Sequence, residues 1–182
     1  MHQSFLDYFL ATEAIQTIFA GGHLVDIVGN KDEQTPNLRY RLLSILQGLS
    51  EVEDSLFLSE CQRFLDSDNV RYYYKCAVFE TLAQCDNPSV AIMEFAKKYL
   101  MQENWREYVR QVVYYGNLPF VKYLENQPPF AWMSNEGLWL LRSINTKEPD
   151  FIVNLLLPHA FKTTEDNRKV YSALCHDVFD DS

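Results

Sequence analysis

Apolar positions recur at steps of three and four along almost the whole chain, the spacing of one face of an α-helix. Phe5, Tyr8, Phe9, Thr12, Ile15 and Phe19 mark a first helix, and Gly21-Gly22 is placed to end it. Leu38, Leu42, Ile45, Leu46 and Leu49 mark a second, with Thr35 as N-cap and Pro36 at the first helical position. Asp54 opens a segment with Phe57, Cys61, Phe64 and Leu65 inward, and Asn87-Pro88 opens another with Ile92, Phe95, Ala96 and Tyr99 inward. A last stripe, Tyr171, Leu174, Cys175 and Val178, runs almost to Ser182. No stretch sustains period-two alternation, and no Asn-Gly or Asp-Gly dipeptide signals a hairpin. The pattern predicts an all-α chain.

The helix starts also recur. Asn37-Leu38-Arg39, Asn69-Val70-Arg71 and Asn104-Trp105-Arg106 share the order Asn, apolar, Arg, at separations of 69 − 37 = 32 and 104 − 69 = 35 residues. Weaker copies lie at Asn135-Glu136-Gly137-Leu138 and Asn167-Arg168-Lys169-Val170. A unit of ~30–35 residues is one helical hairpin of the length used by helical solenoids. The segment Phe64-Leu65-Asp66-Ser67-Asp68-Asn69-Val70-Arg71 resembles the HEAT-repeat signature, which pairs an acidic turn with a Val-Arg opening of the second helix. The resemblance implies a HEAT-like α-solenoid of about five antiparallel hairpins. The three-helix armadillo unit and the tetratricopeptide unit are alternatives, although the Trp, Leu-Gly, Tyr and Pro offsets of the latter are missing. In a repeat array the Arg row, Arg39, Arg71 and Arg106, serves either as a ladder paired with acidic turn residues such as Asp66 or Asp68, or as a surface for an anionic partner.

Composition narrows the function. Of the 182 residues 47% are hydrophobic and 14% aromatic, too apolar for a disordered chain. No apolar run reaches the ~18 residues of a membrane span. The opening MHQSFLDYF lacks the basic and apolar regions of a secretory signal, so the expected compartment is cytoplasmic. A net charge of −9 removes the long-range attraction on which phosphate-backbone binding relies. Nucleic acid and membrane are therefore not expected partners.

The chain carries little catalytic chemistry. Cys61, Cys76, Cys85 and Cys175 sit singly, with no CxxC or Cys/His pair at zinc spacing. His2, His23, His159 and His176 form no HExxH or HxH pair, and no P-loop, GxSxG or GxGxxG occurs. Cys175, His176 and Asp177 are neighbours in sequence, but successive helical residues do not face each other. A HEAT-like DNA glycosylase would need Trp105, Trp132 or Trp139 to stack on bases and Glu136 to act as an acid, and the net charge opposes it. No metal and no cofactor of the chain's own is expected.

The first residues, Met1-His2-Gln3-Ser4-Phe5-Leu6-Asp7-Tyr8-Phe9-Leu10-Ala11, closely resemble the His-x-Ser-Phe-x-Glu/Asp-Tyr-x-x-Ala segment of NACHT-type STAND ATPases. In that family the segment ends the winged-helix module and precedes an array of helical repeats that senses a ligand and restrains the ATPase. By this resemblance residues 1–30 are the end of a winged-helix region and residues 31–182 the HEAT-like repeats. The whole would be the ligand-sensing, autoinhibitory arm of a signalling ATPase. The resemblance places His2 against the β-phosphate of bound nucleotide, and only in an intact parent protein, because the Walker motifs are absent here. The chain is accordingly expected to be a segment of a longer protein, its partners being that ATPase module and a protein or other macromolecular ligand. A free-standing HEAT-like interaction scaffold is the alternative.

Solenoids bind on the concave surface made by the second helix of each hairpin. Those helices are rich in aromatic residues, and Tyr72, Tyr74, Trp105, Tyr108 and Trp132 are the expected partner contacts. Three consecutive tyrosines, Tyr72, Tyr73 and Tyr74, cannot share one helix face, since successive residues lie ~100° apart, so at least one must be exposed. The segment Gln127-Pro128-Pro129-Phe130-Ala131-Trp132-Met133 breaks the helical pattern and is either a packed loop or a second contact site.

Overall fold

A computed structural model describes residues 3–127, 130–160 and 162–174, with the side chains of residues 3–7 and 126 excepted. His2, Pro128, Pro129, Cys175, His176, Asp177 and Val178 lie outside the described residues, as does the side chain of Phe5. Everything described is helix, turn or loop, without a strand. In order the helices are α1 (Gln3–Phe19), α2 (Leu24–Val28), α3 (Leu38–Val52), α4 (Asp54–Asp66), α5 (Tyr72–Ala83), α6 (Val90–Leu100), α7 (Glu103–Val109), α8 (Leu118–Tyr123), α9 (Asn135–Ile144), α10 (Pro149–Leu156) and α11 (Thr164–Leu174). None among the described residues is long and apolar enough to cross a membrane. The chain divides into two compact units, Met1–Ala96 and Lys97–Ser182, so the division falls within α6.

In the first unit alternate helices pack together: α1 lies on α3 and α3 on α5, while α2 lies on α4. The apolar stripes of α3 and α4 meet in the core, where Leu42, Ile45, Leu46, Phe57, Cys61 and Phe64 are fully buried. Each large side chain so buried stabilises the unit by roughly 1.5–3 kcal/mol before chain entropy is counted. Gly48 lets α1 come close, because a Cβ there would stand 2.5 Å from Ile15 Cδ1. Gly21, at φ +96°, ends α1 in a Schellman turn: the Gly22 amide donates to Thr17 O at 2.9 Å and the Gly21 amide to Ile18 O at 3.0 Å.

The phase of α1 differs from the expected stripe. Ala11, Ala14 and Ile18 are buried, whereas Tyr8, Phe9 and Phe19 are 66%, 55% and 47% exposed. The helix is apolar on both sides, and its small-residue side is the one that fits closely against α3. The same one-step shift occurs in α11, which buries Val170 and Ala173 and exposes Tyr171. Helix α3 also starts later than Thr35 and Pro36 suggest, at Leu38 with Asn37 as N-cap. Thr35 instead uses its carbonyl, which accepts from Leu38 N and from the Tyr74 hydroxyl.

Two buried polar side chains tie distant turns of this unit together. Gln34, 3% exposed, donates through Nε2 to Gly29 O at 3.0 Å and to Asn69 O at 2.8 Å, and its Oε1 accepts from Arg71 N at 3.0 Å. Glu60 on α4, equally buried, accepts from Leu24 N at 2.7 Å and so caps the short helix α2 from across the unit. Its other oxygen lies 3.1 Å from His23 Nδ1 and 3.6 Å from Arg63 Nε.

In the second unit α7 continues into one π turn, Arg110–Tyr114, closed by the Tyr115 amide donating five residues back to Arg110 O at 3.0 Å. This turn packs on α8, α8 on α9, and both α9 and α10 on α11. Its buried side is Trp105, Val109, Val113, Tyr114, Phe120 and Leu141. Gly116, at φ +67°, ends the π turn, and its amide donates to Ser143 Oγ on α9 at 3.0 Å.

Replacing Gln34 by Leu takes away the partner of the Arg71 amide and of the Asn69 carbonyl, both in a partly buried site. The expected cost is about 1–3 kcal/mol. It is measured as a lower urea midpoint with an unchanged m-value.

Candidate functional site

Three tyrosines stand out from the first unit at the starts of neighbouring helices. Tyr40 on the first turn of α3 is 72% exposed, and Tyr72 and Tyr73 at the start of α5 are 55% and 54% exposed. The helical rotation of ~100° per residue separates them from Tyr74, which turns inward. Tyr74 is 2% exposed and its hydroxyl donates to Thr35 O at 2.6 Å. One side of the tyrosine run is thus anchored, which sets the direction of the other two.

Arg39 fixes Tyr73 further. Its guanidinium lies 4.4 Å from the centre of the Tyr73 ring, donates to Tyr73 O at 2.7 Å and forms an ion pair with Glu80 on the same helix α5. A cation on an aromatic face and a charge-assisted hydrogen bond together hold ring and backbone in one arrangement. Tyr73 also meets Tyr74 edge to face at 5.4 Å. The phenol of Tyr72 is held above its usual range by partial burial and by the neighbouring Cys76 thiol. The surface therefore combines large aromatic area with hydroxyls, and its Tyr73 ring has little freedom to rearrange, the combination that suits a protein contact.

The arginine row separates by position. Arg39 and Arg71 are structural ties, but their partners are not the acidic turn residues Asp66 and Asp68. Arg39 pairs with Glu80, and Arg71 donates from its amide to the Gln34 side chain and from Nη1 to Gln34 O at 3.4 Å. Arg106 is exposed on α7. The three Asn-apolar-Arg copies also sit differently on their helices: Asn37 is the N-cap of α3, Asn69 precedes the Arg71 cap of α5, and Asn104 lies inside α7.

Of the residues expected to touch a partner, Tyr72 is exposed, while Tyr74 and Trp105 are buried at 2% and 5% exposure and offer no side-chain surface. Trp105 packs edge to face on Tyr99 at 6.5 Å, which also removes it as a platform for a nucleic-acid base. Tyr108 and Trp132 are half-buried, and Trp132 meets Phe130 at 4.8 Å. Trp105, Tyr108 and Trp132 belong to the second compact unit and Tyr72 to the first. Tyr40 is not among the expected contacts although it directly follows the repeated Arg39, and Tyr73 is expected only as one of three tyrosines of which at least one is exposed. The signal that finds them is their place beside a repeated helix start, not their own spacing.

Two other polar clusters complete the survey. A cavity of about 310 Å³ near the C-terminal ends of α3 and α5 is lined by Glu51, Asp54, Thr81, Cys85 and Asp86 among others. The Cys85 thiol is pushed up by burial and by the carboxylates of Asp54 and Asp86. Cys61 is pushed up further, by complete burial and then by Glu60. Among the described residues no three His, Cys, Asp or Glu side chains are gathered as metal ligands.

No protein-family model matches the sequence, and neither a curated protein nor a solved structure matches it.

A raised thiol pKa means less thiolate at a given pH, and the thiolate is what an alkylating reagent attacks. In the native protein at pH 8, iodoacetamide should modify half-buried Cys85 before buried Cys61 and Cys76, both of which should react only after unfolding. Peptide mass mapping over a time course reads the order, and early labelling of Cys61 would contradict it.

Proposed function

We propose that this chain is a helical-repeat binding module of HEAT-like construction, which takes a protein partner on the tyrosine surface at the starts of α3 and α5. The observation that carries the reading is the exposure of Tyr40, Tyr72 and Tyr73 on two helices that pack side by side, with Tyr73 held by Arg39. Alternate helices packing in succession within the first unit support the HEAT-like arrangement, and the buried Gln34 tie joins turns a repeat length apart. Binding rather than catalysis is the role assigned.

A narrower reading makes the module the ligand-sensing, autoinhibitory arm of a NACHT-type STAND ATPase. It rests on the resemblance of residues 1–11. One further observation favours it: the outer face of α1 carries exposed Tyr8, Phe9 and Phe19, the kind of apolar face that a preceding module would cover. In that setting partner binding to the repeats would release the ATPase for assembly.

Quantitative affinity capture tests the first reading. Tyr72→Ser with Tyr73→Ser should weaken a partner recovered by the unaltered protein by at least about tenfold, roughly 1.4 kcal/mol. Unchanged recovery by a variant that keeps its helical circular dichroism would falsify the tyrosine surface. For the narrower reading, the gene upstream of Met1 should encode a GxxxxGK[ST] loop in the same frame. An in-frame stop directly upstream would rule that reading out.

A further inference from the structure

A second, chemically different hollow lies wholly within the second unit, between α7 with its π turn, the 130–134 turn and α9. Two adjoining recesses of about 220 and 300 Å³ share Arg110 and Glu136 as a common wall. Arg106 borders the first recess and Arg142 the second. Phe130 and Leu140 line one, Trp139 and Leu138 the other, so each holds guanidinium, aromatic and aliphatic surface together.

The framework is built and not incidental. Gly137 permits it: a Cβ there would stand 2.6 Å from the carbonyl oxygens of both Ala131 and Trp132, so only glycine lets the 130–134 turn rest on α9. Ser134 caps α9 by accepting from Gly137 N at 3.1 Å, which fixes the turn to the helix. Arg110 lies 4.2 Å from the Trp139 ring centre and is held by an ion pair with Glu107. Tyr115 flanks the same indole at 4.5 Å. Trp139 thereby contacts both a cation and a ring.

The charges are unequally matched. Arg110 has Glu107, but neither Arg106 nor Arg142 forms an ion pair among the described residues, and Arg142 is held only by a hydrogen bond to Ser172. Glu136 feels the cations, its carboxyl lying below the usual range chiefly through its own backbone amide and Ser134, then through Arg110 and Arg106. The chain's acidity also sits elsewhere. Residues 1–96 hold six Lys and Arg against fourteen Asp and Glu, a net −8, whereas residues 97–182 hold ten against eleven, a net −1, so nearly all of the excess acid lies in the first unit.

We propose that this hollow binds a peptide segment of a partner protein in which acidic side chains alternate with aromatic or aliphatic ones. Arg106 and Arg142 take the carboxylates, for which the planar guanidinium fork is suited. Phe130, Trp139 and the leucines take the apolar neighbours. A peptide fits better than a nucleic acid because a chain of net −9 repels a polyanion at long range, while an acidic peptide has few charges and apolar groups to bury. The inference rests on the protein-binding reading and names the partner's chemistry at a surface separate from the tyrosines.

Selection from a random peptide library on the full chain tests it. The expected result is enrichment of Asp or Glu next to Phe, Trp, Leu or Ile, and loss of that enrichment on Arg106→Glu. Peptides made from the consensus should bind about tenfold more weakly to Arg106→Glu in fluorescence anisotropy. They should bind about threefold more tightly to Glu136→Gln, which removes the competing carboxylate. Both positions are exposed, so the fold should tolerate either change. A neutral or basic consensus, affinity unmoved by both substitutions, or displacement of the peptide by oligo-dT at lower concentration would each overturn the proposal. Enrichment lost only in the Tyr72→Ser, Tyr73→Ser variant would overturn it and leave the broader reading standing. No enrichment on any variant would sink both.

Discussion

The amide of Gln34 is the contact on which the described surface most depends. It sits in the loop before α3, donates to Gly29 O and to Asn69 O, and accepts from Arg71 N, so that one donor and its acceptor hold the turn before α5. A buried amide satisfied on both ends tolerates no slip between the turns, because any slip would leave polar groups unpaired in a dry site. With the turn fixed, Arg71 becomes the N-cap of α5, Tyr74 points at Thr35, and Tyr72 and Tyr73 are directed outward. Exposure of the two tyrosines is therefore a consequence of a polar tie about one repeat away in sequence.

That dependence explains what the sequence disclosed. The stripes on α3, α4 and α6 were legible because each has one apolar side, so the period of 3.6 names the buried face directly. In α1 it did not: aromatic residues face one way and Ala11, Ala14 and Ile18 the other, and periodicity alone favours the larger residues. Packing against α3 buries the small side, Ala11, Ala14 and Ile18, with Ile15 at its edge against Gly48. Likewise a run of three tyrosines announced that some were exposed, but not which. The partners of Arg39 and Arg71 were hidden for another reason, since Glu80 and Gln34 lie 80 − 39 = 41 and 71 − 34 = 37 positions away. No local pattern links such residues before the helices are packed.

Burial also sorts the candidate aromatics into two kinds. Tyr74 and Trp105 spend their rings on the core, Tyr74 with its hydroxyl satisfied by a backbone carbonyl. Tyr40, Tyr72 and Tyr73 keep theirs at the surface, Tyr73 beside the fixed guanidinium of Arg39. The difference matters for recognition because an exposed ring that is already immobilised loses less entropy when a partner covers it. Composition alone, rich in Tyr and Phe throughout, cannot draw this distinction.

The second unit reaches rigidity by different means. Its π turn adds one residue to the path from α7, which brings Arg110 under Trp139 while Val113 and Tyr114 remain in the core. A regular α-helix would rotate every following side chain by ~100° for the missing residue and separate those roles. Gly116 then turns the chain in the left-handed region and hands its amide to Ser143, and Lys147 reaches back to Gly116 O at 2.6 Å. The irregular backbone is thus bound at several points to α9 and its C-terminal turn, the segment that also carries Trp139 and Arg142. Where a local departure from helical geometry is so thoroughly tied down, the arrangement it produces is the feature being maintained: a cationic and aromatic wall in the unit that carries little of the chain's excess negative charge.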